Sequence, residues 1–363
     1  MQSRTKAALA SLAVLTTVGA VAAVPPADAA GGGSGSTVIA RGLGGPFGVQ
    51  KAIGHRGFVV AESMSGKVTR VMKDGHKHAI VTGVPGVAGV AASPTRVFGV
   101  TGGPDENGQA PPGRFAPSTV FRTTYDGKHT KAIADLGQYE LEHNPDGQVQ
   151  FVDGKPVDSL SNPFAMTWSR YGLFVADGGA NDVLKVNPRT GKVSTFFAPP
   201  TVKDVPACQG PDANANPGTK GCDPVPTGVA VVKGNVWIST LGAEAPKAGR
   251  VYKLDARTGK VKRVWKGFTA PTGIAVRHDG TFYVSEVAYG APEGDTPPPG
   301  FSPADVGRIT RVSNGHRTHV HVTQPTGLAL KNGDLYSTAW CVPFFFGSNH
   351  PGQLVKVHDR AFR

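Results

Sequence analysis

The chain is short of the materials that build helical or cross-linked proteins. Only 18% of its 363 residues are charged and only 4 are Met, too little for long amphipathic helices or coiled coils. There are 3 cysteines and no CxxC pair, so neither a dense disulfide framework nor a cysteine metal knuckle is available. Beyond the N-terminus no apolar run is long enough to span a bilayer. The basic residues are spread out, whereas a nucleic-acid surface wants them clustered and interleaved with aromatics, so nucleic acid is excluded as a partner. What the chain has in quantity is Gly (49) and Pro (30), with 39% hydrophobic residues in short runs. Short apolar runs punctuated by turn formers read as turn-rich all-β structure with a large core.

The N-terminus reads as a targeting segment. Arg4 and Lys6 precede the uncharged stretch from Ala7 to Val24, which is stopped by Pro25-Pro26 and followed by small residues at Ala27 to Ala30. Charged, apolar and cleavage regions in that order predict a Sec-type signal peptide over 1–29. A membrane anchor is the weaker reading, because no basic stop-transfer cluster follows, and no cysteine lies near the cleavage point to carry a lipid. Residues 30–36 read as a flexible leader and 37–363 as one domain. Cleavage removes two basic residues and one acidic residue, taking the formal net charge from +12 to +11. The expected product is a secreted or extracytoplasmic monomer.

Cys208 and Cys222 bracket a Pro/Gly/Asn segment without apolar periodicity, and no histidine lies between them. A disulfide there would order a loop that has no core of its own. Cys341, within Trp340 to Phe346, reads as a buried free thiol; a catalytic thiol would want a base nearby, and none is evident locally.

The chain repeats one unit six times. A Pro-x-Gly turn leads into a short apolar strand. A second, aromatic-aliphatic strand ends in an acidic or small residue, and a third reads Gly-basic-apolar-x-basic-apolar. The clearest copies begin Pro271-Thr272-Gly273, Pro226-Thr227-Gly228 and Pro325-Thr326-Gly327; looser ones begin at Pro46, Val87 and Pro163. A hairpin signal such as Asp74-Gly75, Asp126-Gly127 or Asn314-Gly315 follows the third strand and predicts a fourth. Four antiparallel strands per repeat predict a six-bladed β-propeller. The last repeat runs out of chain after Val357, so Thr37–Leu43 is expected to supply its outer strand and close the ring. Long insertions are expected at Gly102–Pro117, Gly137–Ser161, Pro199–Val225 and Val287–Val306.

These motifs resemble the six-bladed, TolB-like propeller superfamily. Ser161-Asn162-Pro163-Phe164, Val175 to Asn181, Gly221 to Gly228 and Val284-Ser285-Glu286 are similar to the ScyD/ScyE family of exported bacterial proteins, over roughly residues 37–357. The resemblance implies the fold and export; it implies little chemistry.

In a propeller, the loops that leave the second strands share one face with the turns entering the inner strands. The residues ending the second strands should then ring the channel mouth: Glu62, Thr101, Asp177, Thr240, Glu286 and Thr338. Three carboxylates converging there would suit a cation such as calcium, an amine or a protonated partner, with Asn162 and Asn181 adding neutral oxygens. The plainer reading is that each acid caps loop amides of its own blade. The leading functional expectation is an exported binding or scaffold module. It would contact a small molecule, a protein or an envelope polymer through the mouth face and the long loops. The alternative is a metal-dependent hydrolase like the lactonase and gluconolactonase propellers. Against it, the acids alternate with threonines and no histidine stands at a matching strand end. The pairs His76/His78 and His319/His321 fall on outer strands and read as solvated, and Phe344-Phe345-Phe346 reads as a loop anchor.

Overall fold

The structure, a computed structural model, describes residues 35–105, 108–292 and 298–363. The signal peptide and most of the leader expected from the sequence lie outside the described residues. Six four-stranded antiparallel sheets form the blades. Blade one is Pro46–Lys51, Phe58–Glu62, Lys67–Val71 and Lys77–Val81, and blades two to five repeat that order from Val87, Pro163, Pro226 and Pro271. In blade six, Leu328–Lys331, Asp334–Ala339 and Gly352–Val357 are completed by Ser36–Leu43, which pairs antiparallel with Gly352–Val357. The ring is therefore closed by a strand from the other end of the chain, as the repeat count requires.

The second strands are buried along their whole length in all six blades apart from Asn235 and Asp334, because each lies between two neighbouring sheets. Their residues are accordingly apolar on both faces, such as Phe58-Val59-Val60-Ala61 and Leu173-Phe174-Val175-Ala176. A basic residue on each third strand stands opposite a second-strand side chain. Lys253 pairs with Trp237 and lies 5.1 Å from its ring, and Arg311 pairs with Tyr283. The stem lies over apolar surface while the charge reaches solvent.

The Pro-Thr-Gly segments differ from expectation: they form the seam between blades rather than turns. Thr227, Thr272 and Thr326 donate their hydroxyls to Pro271 O (2.7 Å), Pro325 O (3.0 Å) and Phe47 O (2.8 Å) of the following blade. The adjacent glycine is needed for close approach. A Cβ on Gly273 would meet Thr326 O at 2.0 Å, and one on Gly327 would meet Phe47 O at 2.6 Å.

The insertion after blade two also differs, since it opens with a helix, Leu136–His143. Asp135 caps it by accepting from Gln138 N at 2.9 Å, and Asn144 ends it in the left-handed region (φ 43°). Leu136, fully buried, anchors it to the core of blades two and three. Among the described residues no helix is long and apolar enough to cross a membrane.

Candidate functional site

The register places the six strand-end residues at one level. Pro46, Val87, Pro163, Pro226 and Pro271 at the inner-strand starts stand opposite Glu62, Thr101, Asp177, Thr240 and Glu286. In blade six Thr338 holds that place through its bond to Gly327, although the strand runs one residue further to Ala339.

The acids face their own blades. Glu62 accepts from Gly44 N (2.7 Å), from Ser65 Oγ (3.2 Å) and from the Thr69 hydroxyl. Glu286 accepts from Thr269 N (2.7 Å), from the Thr310 hydroxyl and from Arg308 at 2.7 and 3.2 Å. Asp177 accepts from Ser161 Oγ (2.6 Å), Asn162 N (2.7 Å) and Ala180 N (3.2 Å). Burial raises the Asp177 carboxyl to about 6 despite those bonds. Asn162 and Asn181 lie at the same end of blade three. Asn162 Oδ1 accepts from Gly103 N at 2.9 Å, and Asn181 bonds Asp146 Oδ2 at 3.1 Å and Val225 N at 3.1 Å. Asp177, Asn162 and Asn181 are thus brought together, while Glu62 and Glu286 remain in blades one and five. Among the described residues no three His, Cys, Asp or Glu side chains form a ready metal-ligand group.

The innermost circle of the mouth is apolar. Phe47, Leu241, Ala270, Val287, Cys341 and Val342 form one buried cluster with Phe345 and Phe346 packed on it, whereas Phe344, expected to anchor the loop with them, is exposed. The channel along the inner strands leaves about 30 Å³ of space, room for a few waters. Cys341 is free and fully buried, and burial pushes its thiol up to about 11. Cys208 and Cys222 are disulfide-bonded, with Cα atoms 5.0 Å apart.

Two features were invisible in the sequence. Glu244, beside that apolar circle, sits with Ala243 in the left-handed region (φ 60° and 46°). Its Oε1 is buried without a hydrogen-bond partner, and burial raises the carboxyl to about 8. The second feature joins the inserted segments at blade three. Glu140, Asp146, Asp158, Asp182 and Asp223 gather there with Asn144, Gln148, Gln150, Asn214 and Asn216. Burial, reinforced by the neighbouring carboxylates, raises Glu140 to about 8, Asp158 to about 7 and Asp182 well above the usual carboxylate range. Asp182 directly follows the Asp177 to Asn181 turn and opens the third strand of blade three.

The outer-strand histidines make separate contacts. His76 and His78 are exposed, His319 bonds the Thr310 hydroxyl at 2.9 Å, and His321 contacts the carbonyls of Gly307 and Ala304.

No family model and no curated protein matches the chain. Solved structures do. A luciferin-regenerating enzyme aligns with TM-score 0.55 at 12% identity, over 91% of this chain and 97% of that one. A gluconolactonase from Xanthomonas campestris aligns at 0.51 and 12%, over 88% and 89%. A calcium-binding regucalcin from Agrobacterium tumefaciens aligns at 0.51 and 11%, over 89% and 94%. At these identities the likeness is one of fold: the chain is similar to six-bladed propellers of several activities.

Proposed function

We propose that this protein is an exported binding module, a member of the ScyD/ScyE group that its motifs resemble, and that it engages a macromolecular partner through the mouth face. One observation carries the reading. Of the large hydrophobic side chains exposed among the described residues, Met64, Leu141, Val149, Phe151, Val152, Tyr289 and Phe344 all lie in the connections on that face, Leu141 on the helix and Phe151 and Val152 on the short hairpin of the insertion after blade two. Only Val261 and Val264 lie elsewhere, on the outer strand of blade four. Apolar side chains exposed on one face give a macromolecular partner surface to bury. The disulfide is consistent with an extracytoplasmic location.

The test is co-sedimentation of the mature protein with the isolated envelope of the producing cells. Replacing Met64, Phe151, Tyr289 and Phe344 together by Ser is expected to weaken binding at least tenfold, and Val261→Ser with Val264→Ser to leave it unchanged. Equal retention of both variants, or no binding by the wild type, overturns the reading.

A second reading, a metal-dependent hydrolase acting at the mouth, is favoured by Glu244. An unpartnered acid with a raised pKa beside an apolar pocket is the kind of group that serves as a general acid or base.

A further inference from the structure

The carboxylates at blade three meet from three stretches of chain. Glu140 comes from the helix of the insertion after blade two, Asp146 and Asp158 from the same insertion, Asp182 from the third strand, and Asp223 from the disulfide-closed insertion after that blade. Among the described residues none of the five forms an ion pair. Several are held by amides: Gln150 donates to Glu140 Oε1 (2.9 Å), Asn216 to Asp158 Oδ2 (3.0 Å), and Gln148 and Asn214 to Asp223 Oδ1 (2.7 and 2.8 Å). Those bonds use the donors and leave acceptors over.

Asp182 is 0% exposed, and both of its carboxylate oxygens lack any hydrogen-bond donor. Glu140, 2% exposed, has Oε2 in the same condition, and so are the amide oxygens of Asn144 and Asn216. Every unpartnered atom here is an oxygen acceptor. Buried acceptors without a donor destabilise the fold, more so when they are charged. A hard cation satisfies such atoms together, whereas a water brings only two hydrogens. Oxygen-only ligands of mixed carboxylate and amide type, mounted on irregular loops, match calcium; magnesium demands a tighter octahedron, and zinc would want His or Cys.

We propose that a calcium ion binds among Asp182, Glu140 and the amide oxygens of Asn144 and Asn216, tying the two inserted segments to blade three. The site is separate from the strand-end acids Glu62 and Glu286 and carries no catalytic role. Its effect is to fix the loops that build the mouth face, including the segment closed by Cys208 and Cys222.

Calcium titration of the full mature chain after EGTA treatment tests the site, read by calorimetry, by elemental analysis after gel filtration and by thermal unfolding. The wild type is expected to hold one calcium per chain and to melt several degrees higher with calcium than with EGTA, with a much smaller response to magnesium. Asp182→Asn is expected to bind calcium at least tenfold more weakly and to lose the calcium-dependent shift. In EGTA it should melt no lower than the wild type, because it removes a buried carboxyl that has no hydrogen-bond partner. Glu140→Gln provides a second, independent loss should Asp182→Asn fail to fold, and Glu62→Gln should retain calcium. A wild type that binds none, or undiminished binding in both Asp182→Asn and Glu140→Gln, overturns the site. So does loss of calcium in Glu62→Gln, which would move the ion to the strand ends.

Discussion

Glu62 in blade one and Glu286 in blade five stand at the same place in their blades and hold the same partners. Each accepts from the amide two residues before its blade's first proline, Gly44 in one case and Thr269 in the other. Each also accepts a threonine hydroxyl from the third strand, Thr69 and Thr310. A repeated bond set in a repeated position is how a brace behaves: it ties the incoming chain to the middle of the sheet.

Removing a brace should therefore lower stability. Glu62→Gln is expected to cost about 1–2 kcal/mol in denaturant unfolding, the usual penalty for weakening charged hydrogen bonds. Glu286→Gln should cost more, because Arg308 loses its carboxylate in a site where Glu286 is fully buried. Equal and negligible losses would contradict the bracing role.

The blade seam gives a sharper contrast. Gly273→Ala places a methyl 2.0 Å from Thr326 O, backbone that yields only if two blades part, whereas a Cβ on Gly210 meets nothing within 4 Å. Gly273→Ala is expected to lose about 3 kcal/mol, near the upper end for overpacking, and Gly210→Ala to stay within about 0.5 kcal/mol. Thermal melts of the two variants side by side decide it.

The cysteines should divide by reactivity. Cys341, buried and held protonated, is expected to resist alkylation at pH 8 in the native protein and to react once per chain after unfolding. Cys208→Ser with Cys222→Ser opens a loop of sequence separation 14 and should cost roughly 3 kcal/mol while speeding proteolysis between the two positions.

Glu244 should make stability depend on pH. Its carboxyl sits near 8 in the folded chain against an ordinary value of 4.5, so between those limits the folded state binds the extra proton. Its contribution is complete below about 4.5, shrinks by at most about 1.4 kcal/mol per pH unit above that, and levels off past 8. Glu244→Gln should flatten this slope and melt higher than the wild type at pH 8.5. Parallel pH profiles for the two proteins would show that the carboxyl is not desolvated.

The architecture was legible because it is periodic. Six copies of the strand pattern, the shortfall after Val357 and the spare strand at Thr37–Leu43 together required a ring closed by the N-terminal strand, as found. The Pro-Thr-Gly segments were read as turns because glycine usually marks one; their work is between blades, a contact no single repeat contains. The positions of Glu62, Asp177 and Glu286 at the strand ends were equally plain, but their partners were not, since hydrogen bonds to Gly44 N or Thr269 N depend on where the preceding loop returns. The group around Asp182 and Glu140 draws on segments from residue 140 to residue 223, and a pattern spread over three insertions has no period to reveal it. Glu244 depends on two successive left-handed residues that neither alanine nor glutamate advertises.

The central claim is that the mouth is a binding face braced by its acids rather than a hydrolytic metal centre. The most direct measurement is turnover of a panel of lactones and phosphate esters by the purified mature protein, with EGTA and then with calcium, magnesium, manganese or zinc. The account predicts no turnover above the uncatalysed rate under any of these conditions. Metal-dependent turnover that falls at least a hundredfold in Glu62→Gln, Asp177→Asn or Glu244→Gln, in variants that still melt cooperatively, would contradict it.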